Sequence, residues 1–185
     1  MVLMETNVEK KICLLGDWGV GKTSLIRRFV YNAYDDRYLS TLGVKVSKKS
    51  IIVKDFKKKP FFKVNLTLLI WDLVGQKGFN NLQNSAYKGT NGALVVCDLT
   101  RPDTIERMEG WIKSLFKVTK PIPIIILANK VDLTGDNVPF ELNGKIIGIM
   151  RKYKTQFLPT SAKTGMNVET AFSGIGTLLT AKFFK

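Results

Sequence analysis

Three observations predict an α/β fold with a mostly parallel sheet and helices on both faces. Strand-like and helix-like segments alternate along the chain, and the strand segments are short apolar runs of the kind buried on both faces of a sheet. A glycine-rich stretch, Gly16-Asp17-Trp18-Gly19-Val20-Gly21-Lys22-Thr23, joins a strand run (Ile12 to Leu15) to a helix run (Leu25 to Val30). With 185 residues, 45% of them hydrophobic, the chain can bury one core but hardly two, so a single domain is expected.

Lys11 to Leu15 reads as a buried parallel strand. Gly43 to about Val53 and Phe61 to Trp71 are strand-like, with Val64, Leu66, Leu68 and Ile70 on one face. Lys57-Lys58-Lys59-Pro60 between them reads as a hairpin turn, which makes the first of the pair an antiparallel edge strand. Ala93 to Cys97 and Ile122 to Ala128 are two more buried strands, and Phe157 with Leu158 marks a short sixth. Asp103 and Glu106 form a capping box for a helix carrying Ile105, Met108, Ile112, Leu115 and Phe116. Phe140 to Lys154 is a further helix. In the last, Val168, Ala171, Phe172, Ile175, Leu178 and Leu179 form one core stripe. Cys13 and Cys97 sit inside apolar runs, so they read as buried small hydrophobes and not as a disulfide.

The net charge of +14 raises the question of nucleic acid or an anionic membrane. Lys45, Lys48, Lys49, Lys54, Lys57, Lys58, Lys59 and Lys63 crowd one segment, opposed there by Asp55. Such a cluster can serve a partner or simply protect an exposed edge strand, and the second reading is favoured. The first residues contain no apolar signal region and no stretch has the length of a membrane span, which reads as cytoplasmic. Val2 excludes N-myristoylation, and Ala181-Lys182-Phe183-Phe184-Lys185 offers no prenylation cysteine.

The glycine-rich stretch reads as a phosphate-binding loop, the alternative being a plain strand-to-helix turn. Its backbone N–H groups and the N-terminus of the next helix can surround phosphate oxygens. Lys22 supplies a full charge to the β- and γ-phosphates, and the Thr23 hydroxyl can ligate Mg²⁺. Asp72, at the end of the strand Leu69-Ile70-Trp71, is placed to hold Mg²⁺ through water, with Gly75-Gln76 close behind. Asn129-Lys130-Val131-Asp132 and Thr160-Ser161-Ala162-Lys163 each follow a strand, where ligands bind in doubly wound sheets. The Asp132 carboxylate can accept two hydrogen bonds from guanine, a donor pair that adenine lacks.

These motifs resemble those of the small GTPases of the Ras superfamily, nearest to the Rab branch. The similarity runs from about Lys10 to about Leu179 and includes Tyr38-Leu39-Ser40-Thr41-Leu42-Gly43 and Trp71-Asp72-Leu73-Val74-Gly75-Gln76. It implies a single P-loop GTPase (G) domain over residues 10–183 behind an extension of residues 1–9, with a six-stranded sheet. It further implies that the phosphate loop through Ser24 contacts nucleotide, and that Thr41 of switch I joins Thr23 and Asp72 as a metal group. Gly75 would sense the γ-phosphate and Gln76 orient the attacking water, with Lys22 as the second catalytic group. Tyr34 would cover the guanine edge and Tyr38 the phosphates, unless either is simply packed or exposed. Asn129 belongs to the base-binding motif, Lys130 would stack along the base, and Ala162 would offer its N–H to the guanine carbonyl. Ser161 and Lys163 accompany it or merely form its turn.

The chain departs from the family pattern at Trp18, where relatives carry a small residue, at Leu73-Val74, at Lys77 and at Lys45-Val46, and its hairpin is several residues longer. These departures bear on hydrolysis rate and effectors. The expected function is a monomeric guanine-nucleotide switch that hydrolyses GTP slowly with Mg²⁺ and meets effectors and regulators through the regions of Thr41 and Gln76. The rival is a GTP/GDP-binding interaction module with little hydrolysis, motivated by Trp18. A weak anionic-membrane contact through the lysine-rich hairpin stays open, and nucleic acid is the less expected partner.

Overall fold

The structure, a computed structural model, describes residues 4–35, 43–55, 57–73 and 80–185. The described residues form a six-stranded sheet in the order β2-β3-β1-β4-β5-β6. The strands are β1 (Met4–Leu15), β2 (Val44–Lys54), β3 (Phe62–Leu73), β4 (Gly92–Asp98), β5 (Ile124–Asn129) and β6 (Gln156–Thr160). All neighbours pair in parallel except β2 and β3, so β2 is the antiparallel edge that the lysine-rich turn predicts. Asp55 organises that turn by accepting the Lys57 and Lys58 N–H groups at 3.2 and 3.1 Å.

Two cores follow from two covered faces. On one, Ile12, Leu14, Leu66, Leu68 and Ile70 pack against α1 (Lys22–Tyr31) and α6 (Val168–Thr180), where Phe29 and Phe172 stack with ring centroids 4.0 Å apart. On the other, Cys13, Val95, Cys97 and Ile126 pack against α2 (Asn80–Tyr87), α3 (Pro102–Glu106), α4 (Met108–Thr119) and α5 (Phe140–Tyr153). Both cysteines are buried thiols, one on each strand of the β1–β4 pair.

Three expectations need correction. β1 begins at Met4, so residues 4–9 are not an extension but pair along β3 from Phe62 to Thr67. Polar cross-strand pairs join them, Lys63 to Glu5 at 2.6 Å and the Asn65 amide to Asn7 at 3.0 Å, so no apolar run announces the strand. Asp103 is not an N-cap, because Pro102 takes the first helical position and Arg101 the cap, and the expected single helix divides at Arg107 into α3 and α4. Leu178 is 43% exposed on α6, whereas Val168, Ala171, Phe172 and Ile175 of the same stripe are buried. No helix among the described residues is long and apolar enough to cross a membrane.

Candidate functional site

The site gathers at the carboxyl ends of β1, β3, β4, β5 and β6, where parallel strands deliver their following loops to one edge of the sheet. After β1 the chain turns through Gly16 and Gly21, both with positive φ (135° and 102°). A Cβ on Gly16 would lie 2.1 Å from the Val96 carbonyl oxygen, and one on Gly21 would lie 2.2 Å from the Asn129 amide nitrogen. Only glycine fits either place. The Lys22 ammonium is buried and donates to the carbonyls of Gly16 and Asp17, each at 2.7 Å, which folds the loop around its own lysine. Burial lowers the Lys22 pKa to about 8, with Asp72 and Asp17 opposing the shift and Arg101 adding to it.

At the start of α1, the Thr23 hydroxyl donates to Asp72 Oδ2 at 2.5 Å. The hydroxyl from one element and the carboxylate from the end of β3 thus converge as two hard oxygen donors, a set that fits a small divalent cation. Their expected companions Tyr38, Thr41, Gly75 and Gln76, and the departures Val74 and Lys77, lie outside the described residues.

Asn129 is the joint of the base end. Its amide nitrogen donates to the Val20 carbonyl at 2.8 Å, and its Oδ1 accepts the Thr160 hydroxyl and the Ala162 N–H, both at 3.3 Å. One buried side chain therefore ties the phosphate loop, the end of β5 and the loop after β6 together. Around it lies a cleft of about 180 Å³, lined by Gly21, Ser24, Tyr34, Lys130, Asp132 and Ala162 among others, with Lys163 at its rim. Asp132 stands half-buried on the short 3-10 turn Val131–Leu133. The Ser161 hydroxyl oxygen accepts the Thr164 N–H at 3.0 Å, so this side chain shapes its own loop and does not face the cleft.

Two charged side chains of these motifs have partners within the protein. The Asp17 carboxylate turns toward α4, where it pairs with Arg107 and accepts the Trp111 indole N–H at 2.7 Å, leaving only its backbone in the phosphate loop. Lys130 lines the cleft while its ammonium meets Asp98 Oδ2 at 2.7 Å. Burial would raise the Asp98 carboxyl, but hydrogen bonds from Lys130 and Thr100 outweigh it and hold the carboxyl below its usual range. The Trp18 indole is 45% exposed at the loop's apex.

Sequence reasoning missed Arg28, Asp98, Arg101 and Arg107. From α1, Arg28 donates to the carbonyls of Ala162 and Lys163 at 2.9 and 2.6 Å, clamping the loop after β6. A helical arginine next to another, Arg27, carries no signal of that duty in the sequence. Asp98, buried at the end of an apolar strand, was the visible one.

A family model described as the Ras family matches residues 11–181. The Ras-related protein Rab-7b of Bos taurus is 32% identical over 169 residues, covering 89% of this chain and 79% of that protein. The Ras-related protein Rab-32A of Dictyostelium discoideum is 38% identical over 172 residues, 87% of this chain and 73% of the relative. RabC of the same organism is 34% identical over 171 residues, 91% and 83% of the two chains.

Proposed function

This chain belongs to the Ras family as a Rab-like, GTP-binding small GTPase, and from that premise we propose that it is a Mg²⁺-dependent switch whose guanine specificity rests on Asp132. The observation that carries the reading is the Asn129 joint, which brings the phosphate loop, the end of β5 and the loop after β6 around one cleft. Lys130 and Asp132 line that cleft beside Gly21 and Ser24, so base and phosphate subsites share one wall. Thr23 and Asp72 would hold Mg²⁺, with Thr41 as a third group. The cation supplies neutralising charge at the phosphates when bound.

The chain's own residues do the rest by position and charge. Lys22 would face the phosphates from within its loop, and a bound triphosphate would favour its charged form against the cost of burial. Gln76 would orient the water that attacks the γ-phosphorus. The bond from that phosphorus to the bridging oxygen breaks, leaving GDP and inorganic phosphate. Loss of the γ-phosphate would then relax the segments around Thr41 and Gln76, the switch by which effectors and regulators sense the nucleotide. The relatives' names point to the Rab group, in which trafficking is the expected setting. Purification under mild conditions, followed by chromatography of the released nucleotide, tests the reading. GDP or GTP in near-stoichiometric amount supports it, whereas an adenine nucleotide or none would overturn it.

Slow hydrolysis is the second part of the reading, motivated by Trp18. An indole at the loop apex is far bulkier than the small residue relatives carry, and it would crowd an attacking water and an incoming arginine. Trp18→Gly should raise single-turnover hydrolysis by about tenfold or more. An unchanged rate, with and without an activating protein, would reassign the indole to a lid.

The lysine-rich hairpin is proposed as a weak contact for anionic membrane surfaces. Its turn lysines Lys57 and Lys58 are exposed, and its companion Lys59 donates to the Phe183 carbonyl at 2.9 Å, which joins the hairpin tip to the last turn of the chain.

A further inference from the structure

We infer that Arg101 is a positioning residue for nucleotide retention, spanning from the buried Asp98 carboxylate to the carbonyl of Trp18 and so fixing the apex of the phosphate loop. The inference rests on reading the cleft as a nucleotide site. Arg101 Nε donates to Asp98 Oδ2 at 3.1 Å, and its terminal nitrogen donates to the Trp18 carbonyl at 2.7 Å. The two donors of one planar fork thus point at two acceptors on different elements, an arrangement a lysine ammonium on a flexible stem cannot copy.

The anchor is rigid. Asp98 is fully buried, its Oδ1 takes the Thr100 N–H at 2.9 Å and hydroxyl at 2.6 Å, and its Oδ2 takes Lys130 as well as Arg101. Arg101 is therefore held by a carboxylate that cannot swing. From that base it grips the loop from outside.

Gripping the Trp18 carbonyl orients the whole peptide plane that follows. In a trans peptide the N–H points opposite to the C=O, so the Gly19 N–H is directed away from Arg101. A phosphate loop works through such aimed amides, because an anion is stabilised by N–H groups that need not reorient when it arrives. Asp98 also accepts from Lys130, so one buried oxygen connects a base-side lysine to the phosphate-side loop. The neighbouring grip of Arg107 on the Asp17 carboxylate supports the same rim one residue earlier.

The test uses the full-length chain loaded with fluorescent GDP, since Arg101 is 36% exposed at its side chain and its removal leaves the cores intact. Arg101→Ala should release GDP about 10- to 100-fold faster, as loss of a charge-assisted hydrogen bond predicts. GMP, which lacks the β-phosphate, should bind the variant as it binds the wild type. Arg101→Lys should restore less than half of the lost retention on a logarithmic scale. Wild-type release from Arg101→Ala, an equal loss for GMP and GDP, or full rescue by lysine would each overturn the inference. A wild type that retains no guanine nucleotide would instead sink the nucleotide-site reading itself.

Discussion

The two halves of the sheet are built on different terms. Every residue of β4 and β5 is buried, and the loops that follow are tied by side chains with assigned partners, Asn129, Asp98 and Thr160 among them. The β1–β3–β2 half lengthens well past the core, alternates buried with open positions, and ends in lysines. Val46 and Ile52 of β2 are 50% and 61% exposed. The phosphate loop and Asp72 follow the buried carboxyl ends of β1 and β3, so the open positions of that half lie away from the candidate site. Recognition of a small charged ligand needs groups that do not reorganise, hence burial and shared hydrogen bonds. The open far ends of β1, β2 and β3 hold together by cross-strand polar pairs instead.

That contrast can be broken from either side. The largest effect should come from Asp132→Asn, which removes the acceptor for two guanine donors. Affinity for GDP should fall by about 2 to 5 kcal/mol with preference moving toward xanthine, read by competition binding. Equal wild-type affinities for ATP and GTP would refute the assignment.

Asn129→Ala comes next. It strands the buried Val20 carbonyl and unties the loop after β6, at a cost of about 2 to 4 kcal/mol and roughly 5 to 15 °C in thermal midpoint. A shift under 2 °C would mean that the joint is not what holds the base end together.

A smaller effect is a pH dependence. The Lys22 pKa lies near 8 in the nucleotide-free protein, below its ordinary value, because burial disfavours the charged form. Phosphates favour the charged form, so binding raises this pKa. Affinity is then at its plateau below about pH 8 and declines above it by up to about tenfold per unit, with proton uptake on binding. Calorimetry in buffers of different ionisation enthalpy measures that uptake, and none at pH 8.5 would show that Lys22 is already charged in the empty site.

For the nucleotide site, no effect at all is expected from the exposed half. Replacing Lys57, Lys58 and Lys59 by glutamine should leave GTP affinity unchanged while weakening binding to phosphatidylserine vesicles at low salt by about 1 kcal/mol per lysine. Undiminished sedimentation with vesicles would leave those lysines as edge protection only.

The candidate residues that the fold gathers at one edge of the sheet were legible where chemistry demands a residue type at a fixed spacing. Gly16, Gly21, Lys22 and Thr23 could be read in order because a phosphate loop is local, made by eight consecutive residues and the helix behind them. Asp72, Asn129 and Asp132 were legible as residues following apolar strands, where parallel sheets expose their ligand edge. The alternation of buried strands and amphipathic helices sufficed for the fold class for the same reason, since periodicity is a property of neighbours along the chain.

What only the tertiary structure decided lies between segments far apart in sequence. Nothing local distinguishes Arg28 from Arg27, or marks Arg101 as the group that reaches Trp18 across 83 positions. The strand over residues 4–9 escaped notice because Glu5 and Asn7 are matched by side chains on β3 and Glu9 by Lys48 on β2, not by burial. The Asp17 carboxylate sits on a residue of the expected phosphate loop, yet its partners are Arg107 and Trp111. Hydrogen bonds and ion pairs have no periodicity, so a polar side chain's partner is set by which surfaces the folded sheet brings together, whereas the apolar pattern that builds the sheet is written along the chain itself.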